Sequence, residues 1–514
     1  EAIDGVLIKS ENWQALNLLL EKYREKVKCI YIDPPYNSKT TEILYKNTYK
    51  HSSWLSLMGD RVASSRLLLT SYGVLVCAID ENEQERLGLL LELIFPQADR
   101  TCVAVVHNPR GIQGKGFSYT NEFAYFVHPE GLALGMRLLD DKKAKPLMKT
   151  GFESERETAK NCFYPIYVRA GRIVRVGDVP ADDWHPQKPV RELENGEVEV
   201  WPISSTDNKE RKWRYARQSI ESVLDQLEVR KGRNGWPVIY LGKTLESYRT
   251  VWSDPEFNAA EYGSTLLKNM VDTDFPFPKS VWTVFHSLKA SNVGVGDLVL
   301  DFFAGSGTTA HAVINLNRKD GGKRKYILVE IGDWFETVIL PRIKKVVFCE
   351  KWKDGKPQGG PGVSHMLKYQ YLEQYEDTLN NLELPRQAEG QLAFEAFGDE
   401  YLLKYMLEFE TQGSPSLLNL DMFKDPFAYR LKVQEGDEIV ERPVDLVETF
   451  NYLLGLKVRK VRTLEDNGRP YRAVLGEKNG KRVAIVWRSV VGLEDSEEAL
   501  MKDKAFIEET VLPT

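Results

Sequence analysis

The 514-residue sequence predicts an α/β protein built on a parallel sheet, with one large insertion and a small α+β appendage towards its end. Two observations carry this reading. Short apolar runs alternate with amphipathic stretches over residues 1–135 and again from Leu298 onward, the rhythm of strands buried on both faces and joined by crossover helices. Between residues 136 and 270 that rhythm is lost to polar, charged and aromatic sequence with few long apolar runs, as expected of an inserted domain.

Taken in order, Val27-Lys28-Cys29-Ile30-Tyr31-Ile32 reads as a strand ending at Asp33. A helix is expected from the cap candidates Ser52 and Ser53 towards Thr70, because a serine oxygen can accept from the orphan N–H groups of a first turn. Val74 to Ile79 forms the next strand, ending at Asp80, and strands over Thr101–Val106 and Phe123–Val127 bracket a glycine-rich loop from Asn108-Pro109-Arg110-Gly111 to Gly116. After the insertion come the strands Leu298–Phe303 and Tyr326–Glu330 with a helix between them. The Gly- and Pro-rich run from Lys351 to Gly362 reads as a linker or long loop. Further on, Leu446, Phe450, Leu453 and Leu454 recur at helical spacing between Pro443 and Gly455. Arg472–Leu475 and Val483–Trp487 flank Asn479-Gly480, a hairpin turn signal. The expected divisions are therefore 1–135, 136–270, 271–350 and 351–514.

Composition narrows the class. An apolar content of 42% fits a globular protein, and no run of 18 apolar residues or basic-then-apolar leader is present, so a cytoplasmic protein is expected. Five cysteines without a C-x-x-C pair fit neither a disulfide framework nor a zinc site, and the seven histidines show no ligand spacing; no metal is expected. A formal charge of −6 gives no global attraction to a polyanion, so any nucleic-acid surface must come from local clusters of Lys and Arg.

Two motifs carry chemistry. Asp33-Pro34-Pro35-Tyr36 follows directly on a strand, and in an open parallel sheet ligands bind beyond the carboxyl ends of the strands. The prolines fix φ and supply no N–H, giving a rigid turn whose carbonyls point outward as acceptors. A carboxylate and a carbonyl together can accept both hydrogens of an aromatic amine, and Tyr36 offers a face on which a base extruded from a duplex could stack. The plain alternative is a loop breaker after a strand.

The second motif, Asp301-Phe302-Phe303-Ala304-Gly305-Ser306-Gly307-Thr308-Thr309-Ala310, follows another strand and opens a helix, with Glu330 at the end of the next strand placed to bind ribose hydroxyls. The glycines permit close approach of a nucleoside-containing cofactor. Gly305-x-Gly307-x-x-Ala310 also satisfies the dinucleotide fingerprint, so a nicotinamide enzyme competes on this motif alone. The two motifs together favour an amine methyltransferase, which needs both an adenosyl cradle and an amine-binding turn.

With both motifs in view, the chain resembles the β class of DNA amino-methyltransferases, in which the catalytic motif precedes the cofactor motif in a circularly permuted Rossmann-like order. The modification (Mod) subunits of type III restriction-modification systems are most similar. Asn37, Tyr45, His51-Ser52-Ser53-Trp54-Leu55, Ser71-Tyr72-Gly73-Val74 and Val444 to Gly455 also read like that family, while Phe302 stands where the wider class often has Pro and Ser38-Lys39 where Thr-Gly is frequent. The resemblance implies S-adenosyl-L-methionine as cofactor and catalytic roles for Asp33, Pro34, Pro35 and Tyr36. It implies cofactor contacts from Asp301, Phe303, Ala304, Gly305, Ser306, Gly307, Thr308 and Glu330, with Lys279 of Phe277-Pro278-Lys279-Ser280 closing over the methionine end. It makes the insertion a target-recognition domain, associates Asp at the first motif position with adenine N6 and Ser with cytosine N4, and suggests a homodimer and a helicase-nuclease partner.

Cytosine C5 chemistry is disfavoured, because it requires a cysteine usually following a proline and no Pro-Cys dipeptide exists here. Cytosine N4 stays the nearest enzymatic alternative. For duplex DNA the best cluster is Lys209, Arg211, Lys212, Arg214 and Arg217, with Trp213 and Tyr215 interleaved; its plain reading is a solvated charged helix face. Lys115 is a weaker candidate. A reading of another class is also open, in which the chain mainly reads sequence and recruits a nuclease or translocase in restriction-modification or phage defence.

Overall fold

The computed structural model describes residues 3–37, 50–111, 116–138, 145–232, 235–242, 245–381, 424–435, 438–492 and 496–511. Tyr45, Ser38-Lys39 and Lys115 lie outside the described residues. The chain forms two compact units, one of residues Glu1–Ala133 with Arg249–Thr514 and one of Leu134–Tyr248.

The larger unit is organised by a nine-stranded sheet: β1 (Gly5–Lys9), β2 (Val27–Ile32), β3 (Leu69–Ile79), β4 (Ala98–Val105), β5 (Glu122–Pro129), β6 (Val251–Trp252), β7 (Leu298–Asp301), β8 (Lys325–Glu330) and β9 (Leu367–Tyr371). Across the sheet the order is β6-β4-β5-β3-β2-β7-β8-β1-β9. The central strands are buried throughout because helices cover both faces; β2 has no exposed residue. Helices α1 (Asn12–Tyr23), α2 (Lys50–Arg66), α3 (Gln84–Ile94), α4 (Val281–Ala290), α5 (Thr308–Asp320) and α6 (Leu340–Phe348) supply the layers. Leu16, Leu19, Trp54, Met58, Val62, Leu87 and Leu91 pack on Ile30, Ile32, Leu75, Cys77, Leu300 and Val329 in one core.

Several boundaries differ from expectation for physical reasons. Ser52 and Ser53 lie inside α2 rather than capping it, since the helix already includes Lys50, and the next strand starts at Leu69. The sheet is mixed, because β5 runs antiparallel to both β3 and β4. The inserted unit ends near residue 248 instead of 270: Val251 and Trp252 add a parallel edge strand to β4, drawing that stretch into the larger unit. The expected linker at 351–362 contains a hairpin, Lys351–Lys353 with Lys356–Gly359, turned by Asp354 and Gly355, both with positive φ. Then β9 pairs with β1 as the far edge of the main sheet.

Towards the end stand α7 (Leu446–Leu453), capped by Asp445, and a three-stranded antiparallel sheet of β10 (Lys457–Asp466), β11 (Arg469–Lys478) and β12 (Lys481–Arg488), followed by α8 (Glu497–Phe506). Asn479 and Gly480, at φ 50° and 74°, make the predicted turn between β11 and β12. The inserted unit has a core of Leu147, Tyr164, Ile166, Val200, Trp213 and Ile239 among short antiparallel strands.

Candidate active site

Strands β2 and β7 are parallel neighbours, with Val299 opposite Cys29 and Leu300 opposite Ile30. The Asp-Pro-Pro-Tyr turn and the glycine loop, far apart in the chain, therefore leave the same edge of the sheet side by side. Pro34 is buried. The carbonyl of Pro35 accepts a 2.7 Å hydrogen bond from the fully buried Trp54 indole, which fixes the turn. Asn37 closes the turn at φ 57°, a left-handed conformation that asparagine tolerates, and donates at 2.6 Å to the buried carboxylate of Glu83, which also contacts His51 at 2.5 Å.

The ammonium of Lys279 reaches this turn from just before α4. It lies 3.3 Å from the Asp33 carboxylate, 2.5 Å from that of Glu122 and 4.5 Å from the centre of the Tyr36 ring, and it donates to the Tyr36 hydroxyl. Tyr36 in turn donates to Glu122 at 3.2 Å. Local backbone explains the placement. Gly263 lets the Pro278-Lys279 segment pass so closely that a Cβ there would stand 2.2 Å from the Pro278 carbonyl oxygen. Ser280 then caps α4 through Trp282 and donates its hydroxyl to the Glu256 carbonyl at 2.7 Å.

Side-chain exposures of 27% for Asp33, 10% for Lys279 and 6% for Glu122 make Asp33 the accessible member of the cluster. Desolvation pushes the Asp33 pKa above the ordinary carboxylate range, with Lys279 opposing the rise and Glu122 adding to it. Burial works against the Lys279 charge, but the two carboxylates outweigh it and hold its pKa above the usual value. The Tyr36 phenol is pushed well up by burial and by Asp33 and Glu122, so it stays a neutral donor.

The second motif folds as a loop stitched together from within. Asp301 is buried and accepts from the Phe303 N–H at 3.0 Å and the Thr309 hydroxyl at 2.5 Å; desolvation raises its pKa to about 7. Its carboxylate shapes the loop. Gly305 and Gly307 take φ of 52° and 77°, and a Cβ on Gly305 would meet Phe275 at 3.4 Å. Ala304 donates to the Val329 carbonyl at 3.1 Å, and Phe303 packs beside Phe302. Glu330 accepts from the N–H groups of Gly305, Ile331 and Gly332 at 2.8, 3.1 and 2.9 Å, which aims its carboxylate at the loop. Phe275 stands edge-on to Trp334, 5.3 Å between ring centres, as an aromatic wall beside Gly305. A left-handed glycine at close approach, an acid at the next strand end and an aromatic wall fit an adenosyl group.

Sequence reasoning missed Glu122 and Arg342. Arg342 is wholly buried in α6 and donates to the Ser306 carbonyl and hydroxyl at 3.1 and 2.8 Å and to the Thr308 hydroxyl at 3.0 Å. It therefore braces Ser306 and Thr308 from behind. Burial drops its pKa to about 9. An Arg three residues into an amphipathic helix gives no signal of burial, and Glu122, at the start of a strand, reaches the edge that carries Asp33 only because that strand runs antiparallel.

The candidate DNA cluster is extended rather than helical and is engaged within its own unit. Lys209 pairs with Glu155 at 2.9 Å, Arg211 with Asp207, and Arg217 with Glu221 at 3.0 Å; Lys212 donates to the Thr158 hydroxyl at 2.7 Å and Arg214 to the Pro146 carbonyl at 2.9 Å. Trp213 is core, its indole donating to the Tyr164 carbonyl at 2.7 Å.

Residues 27–340, from β2 through the glycine loop to the start of α6, match the family model of DNA methylases acting on N6 and N4 amines. The chain belongs to this family. Among DNA methylase relatives it is 29% identical over 386 residues to the type III restriction-modification enzyme EcoPI Mod subunit of Escherichia phage P1, across 63% of this chain and 57% of that protein. It is 28% identical to the type II methyltransferase M.KpnI of Klebsiella pneumoniae, across 58% and 74% of the two chains. With the probable type III restriction-modification enzyme HindVI Mod subunit of Haemophilus influenzae it shares 24% identity, across 87% and 64%. The chain thus spans under two thirds of the length of both Mod subunits. Among the described residues no helix is long and apolar enough to cross a membrane.

Proposed function

We propose that this DNA methylase transfers a methyl group to adenine N6 in duplex DNA, as the modification subunit of a restriction-modification system. The observation that carries the reading is the adjacency of β2 and β7, which brings the Asp33 turn and the glycine loop to one edge of one sheet. The relatives named as Mod subunits support the biological role. A homodimer and a helicase-nuclease partner are part of the same proposal, as is base readout by the inserted unit.

Bound S-adenosylmethionine supplies an electrophilic methyl group on a sulfonium. Gly305, Gly307 and Glu330 would hold its adenosyl part on the loop that buried Asp301 shapes, with Phe275 and Trp334 beside the ring. The Asp33 carboxylate and Pro34 carbonyl would accept the two amine hydrogens of the extruded base, turning the nitrogen lone pair out of conjugation and raising its nucleophilicity. Tyr36, fixed through its hydroxyl by Glu122 and Lys279, would stack on the base. The Asp33 carboxylate, ionised when it accepts the amine, would stabilise the positive charge developing on nitrogen. Asp33, its proton affinity raised by burial, takes the proton that the methylated amine loses.

Sequencing of modified bases in DNA exposed to the protein tests this reading. N6-methyladenine in one fixed context is the expected result; N4-methylcytosine would transfer the same chemistry to the other amine, and unmodified DNA with intact binding would favour a recruiting subunit.

A further inference from the structure

The strands β10 to β12, residues 457–488, hold ten Lys and Arg against three Asp and Glu, in a chain with 69 and 75 overall. Register sorts these cations. On one face Val458, Val474, Val483, Ile485 and Trp487 pack against Val447, Leu456 and Phe427, and Arg472 lies over the Phe427 ring. On the other face Lys460 is opposite Leu475 and that in turn opposite Ala484, while Arg462 is opposite Ala473 and that opposite Val486; Arg482 faces Glu477.

One end of this second face is closed by α8. Tyr471 packs on Phe506 with ring centres 4.8 Å apart, and buried Asp503 accepts from Tyr471 at 2.5 Å and pairs with Arg469 at 3.6 Å and with Arg488. Arg459 pairs with Glu477 at 3.1 Å. These cations are used within the fold. Lys460, Arg462 and Arg482 are not: among the described residues, none of the three has a carboxylate in ion-pair range. They stand on the outer two strands of the sheet, about 10 Å apart across it, over Ala473, Leu475, Ala484 and Val486, with Glu477, the partner of Arg459, opposite Arg482. An array of cations with no carboxylate in ion-pair range, standing over a largely apolar floor, suits an extended phosphate backbone.

We propose that this face binds the phosphate backbone of duplex DNA without reading its sequence, giving the C-terminal sheet a role in holding substrate. The proposal rests on the DNA-methyltransferase reading. It is tested by measuring affinity of the full chain for a duplex of arbitrary sequence over a range of salt, for the wild type, for the combined Lys460→Gln, Arg462→Gln and Arg482→Gln variant, and for a charge-keeping Lys460→Arg, Arg462→Lys and Arg482→Lys variant. Each lost phosphate contact lowers the slope of log affinity against log salt by roughly 0.9, so the neutral variant is expected to lose about 2–3 from the slope and at least about tenfold in affinity at ~0.1 M salt. The charge-keeping variant should behave as wild type, and cofactor affinity and melting temperature should be unchanged in both. An unchanged slope in the neutral variant, or a loss confined to one DNA sequence, overturns the proposal. Absence of duplex binding by the wild type would overturn the reading beneath it as well.

Discussion

Lys279 places its ammonium 3.3 Å from the carboxylate of Asp33, the residue that opens the Asp-Pro-Pro-Tyr turn. With Glu122 at 2.5 Å on its other side, the lysine links an accessible acid to a buried one.

This arrangement predicts opposite responses from two substitutions. Asp33 must be ionised to accept the amine, so transfer rises with pH through its elevated pKa. Tyr31, Tyr36, Cys77, Asp301, Glu122 and Lys279 all sense or face this carboxylate, and only Lys279 opposes the rise by its charge. Lys279→Met removes that opposition, so the acid limb of the single-turnover pH profile should move to higher pH. Glu122→Gln removes a negative neighbour, so the limb should move to lower pH. Shifts of the same sign would contradict the charge linkage.

At the cofactor loop, Gly305→Val forces a β-branched residue to φ 52° and brings its side chain against Phe275. The backbone strain alone costs about 1–2 kcal/mol. Cofactor affinity measured by calorimetry should fall by about tenfold or more, and an unaltered affinity would show that the loop does not hold the cofactor.

Trp54→Phe deletes the donor to the Pro35 carbonyl while keeping an aromatic ring in the core. Leaving that part-buried carbonyl without its partner should cost about 1 kcal/mol, read from the denaturation midpoint. Transfer should slow more than cofactor affinity falls, because the turn loses its support.

Much of this site was legible in the sequence because it follows from strand ends. Val27–Ile32, apolar but for Lys28, and Leu298–Leu300 are short apolar runs, and the motifs behind them mark where a parallel sheet binds ligands. Glu122 was hidden by the assumption of an all-parallel sheet: since β5 runs antiparallel, it is the first residue of that strand, not the last, that arrives at the catalytic edge beside Ile79 and Phe123. The Lys279 linkage was hidden because ion pairing between distant segments leaves no periodic trace. Trp213 shows the converse, since interleaved aromatics and cations read as a nucleic-acid surface while the ring serves the core of the inserted unit.

The central claim, that one carboxylate serves the amine while a separate loop serves the cofactor, is tested most directly by Asp33→Ala, with methyl transfer and cofactor binding measured on the same preparation. Transfer to DNA should fall by about 10²–10⁴-fold with cofactor affinity within about twofold of wild type. Undiminished transfer, or a loss that follows cofactor affinity alone, would contradict it.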